Sequence, residues 1–182
     1  MPPKQRYTHE IILDKAYEMF LADGMEAVNA RSVSKALNCS TQPIFSYFPD
    51  MNGLRSALIE KGMLEFSSAM EDASLLNHSV VARCQAYVNF ASRQSKVFNF
   101  LVSQQKKEIN PAAELLAVPS ETLAAEKEAT GLSEDVLKSV FDRLNTYTAG
   151  LAFLVASGIE AYQEEKVEEE LIEVYSALIR AV

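Results

Sequence analysis

Apolar side chains recur at intervals of three and four residues along most of the chain, and this spacing decides its fold class. A helix completes a turn every ~3.6 residues, so such spacing places apolar side chains along one helix face. No sustained alternation of apolar and polar residues indicates a strand, and no Asn-Gly turn between β-branched runs indicates a hairpin. The sequence therefore predicts an all-α protein with about nine helices.

Charge is distributed unevenly along the 182 residues, which carry a formal net charge of -8. Residues 1–62 contain seven basic and seven acidic side chains, whereas residues 63–182 contain ten basic and eighteen acidic ones. An acidic surface repels polyanions such as nucleic acids. Contact with a polyanion is therefore expected only in the N-terminal third of the chain.

Several classes of protein are disfavoured by the sequence. Its longest strongly apolar run, residues 149–159, is shorter than the ~20 residues that a membrane span requires. The polar start of the chain does not resemble a signal peptide. The two cysteines, Cys39 and Cys84, and the two histidines, His9 and His78, form no metal-binding or catalytic motif. We expect a cytoplasmic protein with reduced thiols, no cofactor or metal, and no enzymatic activity.

Helix boundary signals predict two helices near the N-terminus. The first is capped by Thr8 and ends at Gly24. The second runs from about Ala30 to Leu37, with Asn29 as its cap. The residues expected to face inward are Ile12, Ala16, Met19, Phe20, Val33, Ala36 and Leu37.

An uncharged stretch, NCSTQPIFSYF (residues 38–48), follows the second helix and predicts a third. Asn38 suits the left-handed conformation that closes a helix. Ser40 suits the cap of the next helix, and Pro43 is tolerated within its first turn. At ~100° per residue, one face of this helix is apolar and the opposite face is polar. The apolar face carries Ile44 and Phe48, and the polar face carries Gln42 and Ser46.

Two short helices joined by a tight turn form a helix-turn-helix, which the sequence predicts over about residues 29–48. The second helix of such a motif enters the major groove of DNA. Gln42 could pair with the edge of an adenine, and the serine and threonine hydroxyls could donate or accept hydrogen bonds. A capped amphipathic hairpin is also common in helical proteins that bind no DNA. On spacing alone, both interpretations stay open.

The run from Ile11 to Leu58 resembles the DNA-binding region of the tetracycline-repressor (TetR) family of transcriptional regulators. The family pattern Ala-x-x-x-Phe-x-x-x-Gly matches Ala16, Phe20 and Gly24. The second helix of the family is approximated by residues 29–34. The closing pattern of the family matches Ser40, Ile44, Phe48 and Leu54. These motifs cover about a third of the chain.

The resemblance implies a domain organisation and a function. A three-helix helix-turn-helix domain would span residues 6–52, and a helical ligand-binding and dimerisation domain would span residues 53–182. The protein would be a homodimeric regulator, a repressor, that binds a near-palindromic double-stranded DNA operator and responds to a small apolar effector. The residues expected to contact DNA are Asn29, Arg31, Ser40, Thr41, Gln42, Pro43, Phe45, Ser46 and Tyr47.

Two positions depart from the family pattern. Phe45 stands where the family usually has tyrosine, and Met51 stands where it usually has lysine, so two phosphate contacts are expected to be missing. The candidates to replace them are Tyr47, Arg31, and the N-terminal arm with Lys4 and Arg6. The departures leave an alternative function open, which is a dimeric small-molecule- or protein-binding helical protein with a degenerate helix-turn-helix.

Wide apolar stripes in residues 133–182 predict a dimer interface. In the last helix, Ile172 and Ile179 widen the stripe to ~160°, beyond the ~100° that a single core requires. The expected interface residues are Leu151, Leu154, Leu171, Val174, Tyr175 and Leu178. The alternative is that these stripes form the core of a monomeric bundle.

Aromatic side chains in the second domain could line an apolar cavity between helices, the usual form of a small-molecule site. The residues expected to line it are Tyr87, Phe90, Phe98, Phe100, Phe141 and Tyr147. An aromatic stripe is more often part of the hydrophobic core, which is the alternative interpretation. No charged residue stands out from the sequence as an anchor for a ligand.

Overall fold

The structure is a computed structural model that describes residues 7–77, 79–104 and 117–182, with the backbone alone described for residues 72–77. These residues form nine α-helices and one short 3-10 helix, and none of them forms a strand. The α-helices are α1 (His9–Asp23), α2 (Ala30–Ala36), α3 (Gln42–Tyr47), α4 (Met51–Asn77), α5 (Val80–Arg93), α6 (Ser95–Val102), α7 (Ser120–Thr130), α8 (Glu134–Ala156) and α9 (Glu164–Arg180). The predicted all-α fold is confirmed.

Local capping interactions set the first helix boundaries as predicted. Thr8 Oγ1 accepts a hydrogen bond from the amide of Ile11 at 3.2 Å, and Gly24, with φ 83°, closes α1. A 3-10 helix, Met25–Ala27, follows. Asn38 adopts the left-handed conformation with φ 53° after α2, and its short polar side chain tolerates this conformation better than most residues. The sequence also predicts a helix start with Asn110 as the cap and Pro111 as the first helical residue, and both lie outside the described residues.

The chain divides into two compact units, Met1–Gly62 and Met63–Val182, here called unit 1 and unit 2. The expected boundary between residues 52 and 53 would have preceded nearly all of α4, whereas the observed division lies within it. Asp50 Oδ1 accepts from the amide of Gly53 at 2.8 Å and starts α4.

Unit 1 has a small apolar core built from α1, α2, α3 and the start of α4. The buried residues at its centre are Ile12, Ala16, Phe20, Val33, Ile44, Phe48, Leu54 and Leu58. Burying each large apolar side chain stabilises the fold by roughly 1.5–3 kcal/mol. Ala36 is exposed instead of facing inward, because α2 turns Ser34 into the core beside Val33. The Ser34 hydroxyl donates to the carbonyl of Arg31 at 3.0 Å, which removes most of the cost of burying it.

Unit 2 is organised around α5, which packs against α6, α8 and α9. Its largest fully buried side chains include aromatic rings from α4, α5 and α6 together with leucines of α6 and α8. These residues are Phe66, Tyr87, Phe98, Leu101, Leu137 and Leu144. None of the helices within the described residues is long and apolar enough to cross a membrane.

Candidate nucleic-acid interface and ligand groove

Helix α3 has one exposed face of uncharged polar and aromatic side chains and one apolar face that is buried in unit 1. Ile44 and Phe48 are buried in unit 1, whereas Gln42 and Ser46 are exposed and Phe45 is 46% exposed. Pro43 lies in the first turn of α3. Its missing amide hydrogen breaks no helical hydrogen bond there, because the first amides of a helix have no partner within it. The predicted inward and outward faces of this helix are confirmed.

The start of α3 differs from the sequence expectation that Ser40 caps it. The residue before the helix is Thr41, whose φ of -73° and ψ of -14° are already helical. A capping side chain reaches the first helical amides from an extended backbone. No side-chain oxygen caps this end of α3, and Ser40 is exposed. The capping prediction for Ser40 is therefore wrong.

Two hydroxyl groups of α3 have partners within unit 1. The Ser46 hydroxyl donates to the backbone carbonyl of Gln42 at 2.9 Å, so its oxygen keeps lone pairs that can accept from another molecule. The Tyr47 hydroxyl donates to the backbone carbonyl of Tyr7 at 3.1 Å. Tyr7 in turn donates its hydroxyl to the carbonyl of Asn38 at 3.3 Å. The Tyr47 hydroxyl therefore positions the segment that enters α1. Because its hydrogen is already donated to Tyr7, this hydroxyl is poorly suited to its expected role as a replacement phosphate contact.

The N-terminus of α2 is closed by a reciprocal pair of hydrogen bonds. Asn29 Oδ1 accepts from the amide of Ser32 at 3.0 Å, and the Ser32 hydroxyl oxygen accepts from the amide of Asn29 at 3.1 Å. The capping role predicted for Asn29 is confirmed. Arg31, in the first turn of α2, is exposed.

A groove of about 280 Å3 lies between this end of α2 and the first turns of α4. Three of its polar lining residues are Asn29, Asn52 and Arg55, and Glu26 adds a carboxylate. Met51, where a lysine was expected, also lines it. Arg55 lies one helical turn after Met51 on the same helix, so it brings a cation to the place where the expected one is missing. Arg55 is not among the DNA-contacting residues that the sequence predicts, although it follows Met51 at a spacing of four residues.

Two lysines of unit 1 are held in ion pairs. Lys61 Nζ lies 2.7 Å from Asp14 Oδ1 and 5.0 Å from the centre of the Tyr17 ring, and Lys15 pairs with Glu18. Arg31, Lys35 and Arg55 are exposed. The expected N-terminal arm with Lys4 and Arg6 lies outside the described residues, as does His78.

Most aromatic residues expected to line a ligand cavity belong to the core of unit 2. Tyr87 packs edge-on against Phe66 and Phe98, with ring centroids 5.7 and 5.4 Å apart. Burial raises the pKa of the Tyr87 hydroxyl well above its usual range. The other candidates that are buried are Phe90, Phe98, Phe100 and Phe141. These residues therefore fit the alternative interpretation, in which the aromatic stripe is part of the hydrophobic core.

Tyr147 is half-buried on α8, and its hydroxyl donates to the Glu170 carboxylate on α9. Burial and the negative charge of Glu170 raise the pKa of this tyrosine to about 12. Tyr147 therefore connects α8 with α9, and it is not among the described residues that line the groove of unit 2 described next.

That groove, here called the α4–α5 groove, has a volume of about 600 Å3, and the described residues that line it belong to residues 64–69 of α4 and residues 86–94 at and just after the end of α5. Phe90 is the one predicted ligand residue among those that line it. Among the described residues, the charged ones that line the groove are Arg93 and Glu65. Neither residue could be predicted as part of a site, because neither stands out in the sequence from the many charged residues on solvent-facing helix surfaces.

The predicted dimer-interface residues divide between core and surface. Leu171 is 0% exposed and Leu151 is buried, so both pack within unit 2. Leu154, Val174, Tyr175 and Leu178 are half-buried. The exposed apolar side chains on these helices are different ones, Phe153 at 54% and Ile172 at 46%.

Tyr175 has a structural partner within unit 2. Its hydroxyl donates to the Glu126 carboxylate at 2.5 Å, and the same carboxylate accepts from the amide of Val80 at 3.3 Å. Glu126 therefore connects α7 with the start of α5 and with α9. Burial, with a smaller contribution from Glu126, raises the pKa of Tyr175 well above its usual range.

Among the described residues, no group of three or more histidine, cysteine or acidic side chains is arranged to hold a metal ion. The two cysteines are both free thiols. Cys84 is buried, and burial raises its pKa to about 11, which keeps the sulfur in its unreactive neutral form.

Comparison with known proteins supports the fold. No family model and no curated protein sequence matches the chain. Its structure is similar to the crystal structure of a protein described as a "putative TetR-family transcriptional regulator" from Rhodococcus sp.. The TM-score is 0.60 and the identity 15%, over 92% of this chain and 96% of that chain. The fold expected from the TetR resemblance is confirmed.

Proposed function

We propose that this chain is a TetR-like, ligand-responsive transcriptional regulator that acts as a homodimeric repressor on a near-palindromic DNA operator. The observation that carries the proposal is the outward face of α3, where Gln42, Phe45 and Ser46 are exposed on a helix anchored by buried Ile44 and Phe48. A recognition helix needs this combination, because its base-reading side chains must stay outside while its position is fixed by packing.

The exposed groups suit base readout in the major groove. The Gln42 amide can pair with both edge groups of adenine, and the Ser46 oxygen can accept from a base amino group. The Phe45 ring can contact the methyl group of thymine. None of these interactions requires a charged side chain, so the uncharged stretch 38–48 fits a base-reading role.

Phosphate contacts would come from the borders of this surface. Arg31 is exposed on the first turn of α2, and Arg55 lines the neighbouring groove with Asn52. Arginine suits a phosphate because its guanidinium donates two parallel hydrogen bonds. Each phosphate neutralised contributes about 0.9 to the salt slope of binding to double-stranded DNA. The Glu26 carboxylate lines the same groove as Arg55 and repels phosphate. The electrostatic contribution to DNA binding is therefore expected to be modest.

Dimerisation is proposed through α8 and α9. Phe153 and Ile172 expose apolar surface on these helices, and burying it against a second copy would remove it from water. Two copies would place two recognition helices about 34 Å apart, one on each half-site of the operator. A ligand would act by binding more tightly to a dimer geometry in which this spacing no longer fits the operator.

The alternative, a dimeric small-molecule- or protein-binding helical protein with a degenerate helix-turn-helix, is favoured by uncharged Met51 and acidic Glu26 at the groove of unit 1. Fluorescence anisotropy with DNA from the promoter of its own gene separates the two functions. We expect saturable binding that is stronger than to a scrambled duplex and that weakens as salt rises. Equal and weak binding to both duplexes at low salt would support the alternative.

A further inference from the structure

The α4–α5 groove has the size of a small-molecule site but lies outside the aromatic core of unit 2. Its volume of about 600 Å3 falls within the ~300–1,000 Å3 typical of ligand pockets. Both of its walls are helices, so the lining side chains are held by regular backbone. The groove therefore provides a built surface against which a bound molecule can be oriented.

One part of the groove is apolar. Leu64 is 72% exposed although it lies within α4, and it borders the groove together with Ala69 and Phe90. Phe90 is buried and packs edge-on against Phe66, with ring centroids 5.1 Å apart, so this part of the wall is fixed. An aromatic or aliphatic body placed here would cover the Leu64 side chain and gain hydrophobic stabilisation.

The end of α5 supplies a cation to the groove. Arg93 lines it, and the side chain of Arg93 is 69% exposed. Its ion pair with Glu164 has an N–O distance of 3.9 Å and joins two exposed groups, so it contributes little and leaves room for a stronger anionic partner. Glu65 lines the groove from α4 and repels anions. The negative end of a ligand is therefore directed to the α5 side.

Asn89 places an acceptor next to this cation. Its Oδ1 is buried and has no hydrogen-bond partner among the described residues, although the residue lines the groove. A buried acceptor without a partner is costly. Rotation of the Asn89 amide about its last side-chain torsion, which has broad minima, would turn the oxygen toward the groove, where a hydroxyl or N–H group of a ligand would remove that cost. Asn89 and Arg93 are one helical turn apart on α5 and face the same groove, so neighbouring groups of a single ligand can meet both.

We propose that the α4–α5 groove binds a small hydroxy acid with an apolar body. Its carboxylate pairs with Arg93, its hydroxyl donates to Asn89, and its body lies against Leu64 and Phe90. The role of this molecule as effector rests on the proposed function, whereas its binding does not. Residues 64–69 of the groove lie on α4, so the occupant contacts this helix directly.

The test is isothermal titration calorimetry on the full chain without DNA, using three matched probes. The probes are 3-phenyllactate, its neutral amide, and 3-phenylpropanoate, which lacks the hydroxyl. We expect the hydroxy acid to bind about tenfold more tightly than its amide and about fivefold more tightly than 3-phenylpropanoate. Arg93→Gln should remove the preference for the acid and keep the preference for the hydroxyl. Asn89→Leu should do the reverse.

Two controls distinguish the groove from general attraction to a cation. Arg143→Gln removes an exposed arginine on α8, outside the groove, and should leave all three affinities unchanged. Ala69→Leu narrows the groove and should weaken all three probes, with far-ultraviolet circular dichroism showing that the variant is folded. The proposal is overturned by equal affinity for acid and amide, by an acid preference that survives in Arg93→Gln, or by no saturable binding at millimolar concentration. Because DNA is absent, each of these results leaves the proposed function standing.

Discussion

The hydroxyl of Tyr47 donates a hydrogen bond to the backbone carbonyl of Tyr7, which lies 3.1 Å away and forty residues earlier in the chain. This bond joins the end of α3 to the segment that enters α1. Tyr47→Phe should therefore destabilise the free protein by about 1 kcal/mol, measured by urea unfolding without DNA. Tyr7→Phe, which loses the bond to Asn38, is the matched control and should have a similar cost. A Tyr47→Phe variant of unchanged stability would show that this hydroxyl does not position the chain.

The outward face of α3 is expected to read bases. Gln42→Ala should cost ~1–3 kcal/mol of binding free energy at the preferred operator and relax selectivity at one or two base pairs. The measurement is competition binding against a set of operators with single substitutions. Ser46→Ala, on the same exposed face, should have a smaller effect because its oxygen acts only as an acceptor. If both variants stay folded with unchanged affinity and base preference, α3 is not a recognition helix.

The border residues are expected to bind phosphates. Arg31→Ala and Arg55→Ala should each weaken operator and non-specific DNA equally and reduce the salt slope by about one. Glu26→Gln should have the opposite sign, because it removes a negative charge from the groove that Arg55 lines. The binding constant is measured over a series of salt concentrations, with Arg143→Ala in unit 2 as the control. An unchanged slope in Arg55→Ala would remove that residue from the interface.

Substitutions at two neighbouring residues of α3 should have different effects, one on the stability of the protein and the other on DNA binding. Ile44→Ala should lower the free energy of unfolding by about 2–4 kcal/mol, because it leaves a cavity in the small core of unit 1. Phe45→Ala, at a side chain that is 46% exposed, should change stability by less than about 1 kcal/mol but weaken operator binding. Thermal unfolding and anisotropy measured on both variants provide the comparison. Equal destabilisation by the two substitutions would contradict the assigned faces.

The oligomeric state should depend on exposed rather than buried residues of α8 and α9. Light scattering is expected to give twice the chain mass of 20.2 kDa, and Ile172→Glu or Phe153→Glu should shift the protein toward monomer. Leu171→Glu cannot test the interface, because this side chain is 0% exposed and a charge there would disrupt the fold. Leu64→Glu introduces the same charge at an exposed leucine elsewhere and should leave the dimer intact. A wild-type monomer at micromolar concentration would reject the interface.

Sequence alone determined the features that arise within one or two helical turns. Thr8 and Asn29 cap their helices, and Asn38 takes the left-handed conformation, because each makes contacts with residues a few positions away. The apolar face of α3 follows from the angle between successive residues of a helix, so Ile44 could be assigned to the core from its position. The fold class and the helix-turn-helix follow from these local rules.

Tertiary structure decided which of several suitable faces is buried and which distant residues meet. Leu171 and Ile172 are adjacent in an equally apolar stripe, yet α9 buries the first and exposes the second. Tyr47 has a partner forty residues away, and Asn89 and Arg93 form one groove with a segment of α4. Periodicity specifies the direction of a side chain relative to its own helix. It does not specify where the next helix packs, and that packing determines whether a side chain joins the core or the surface.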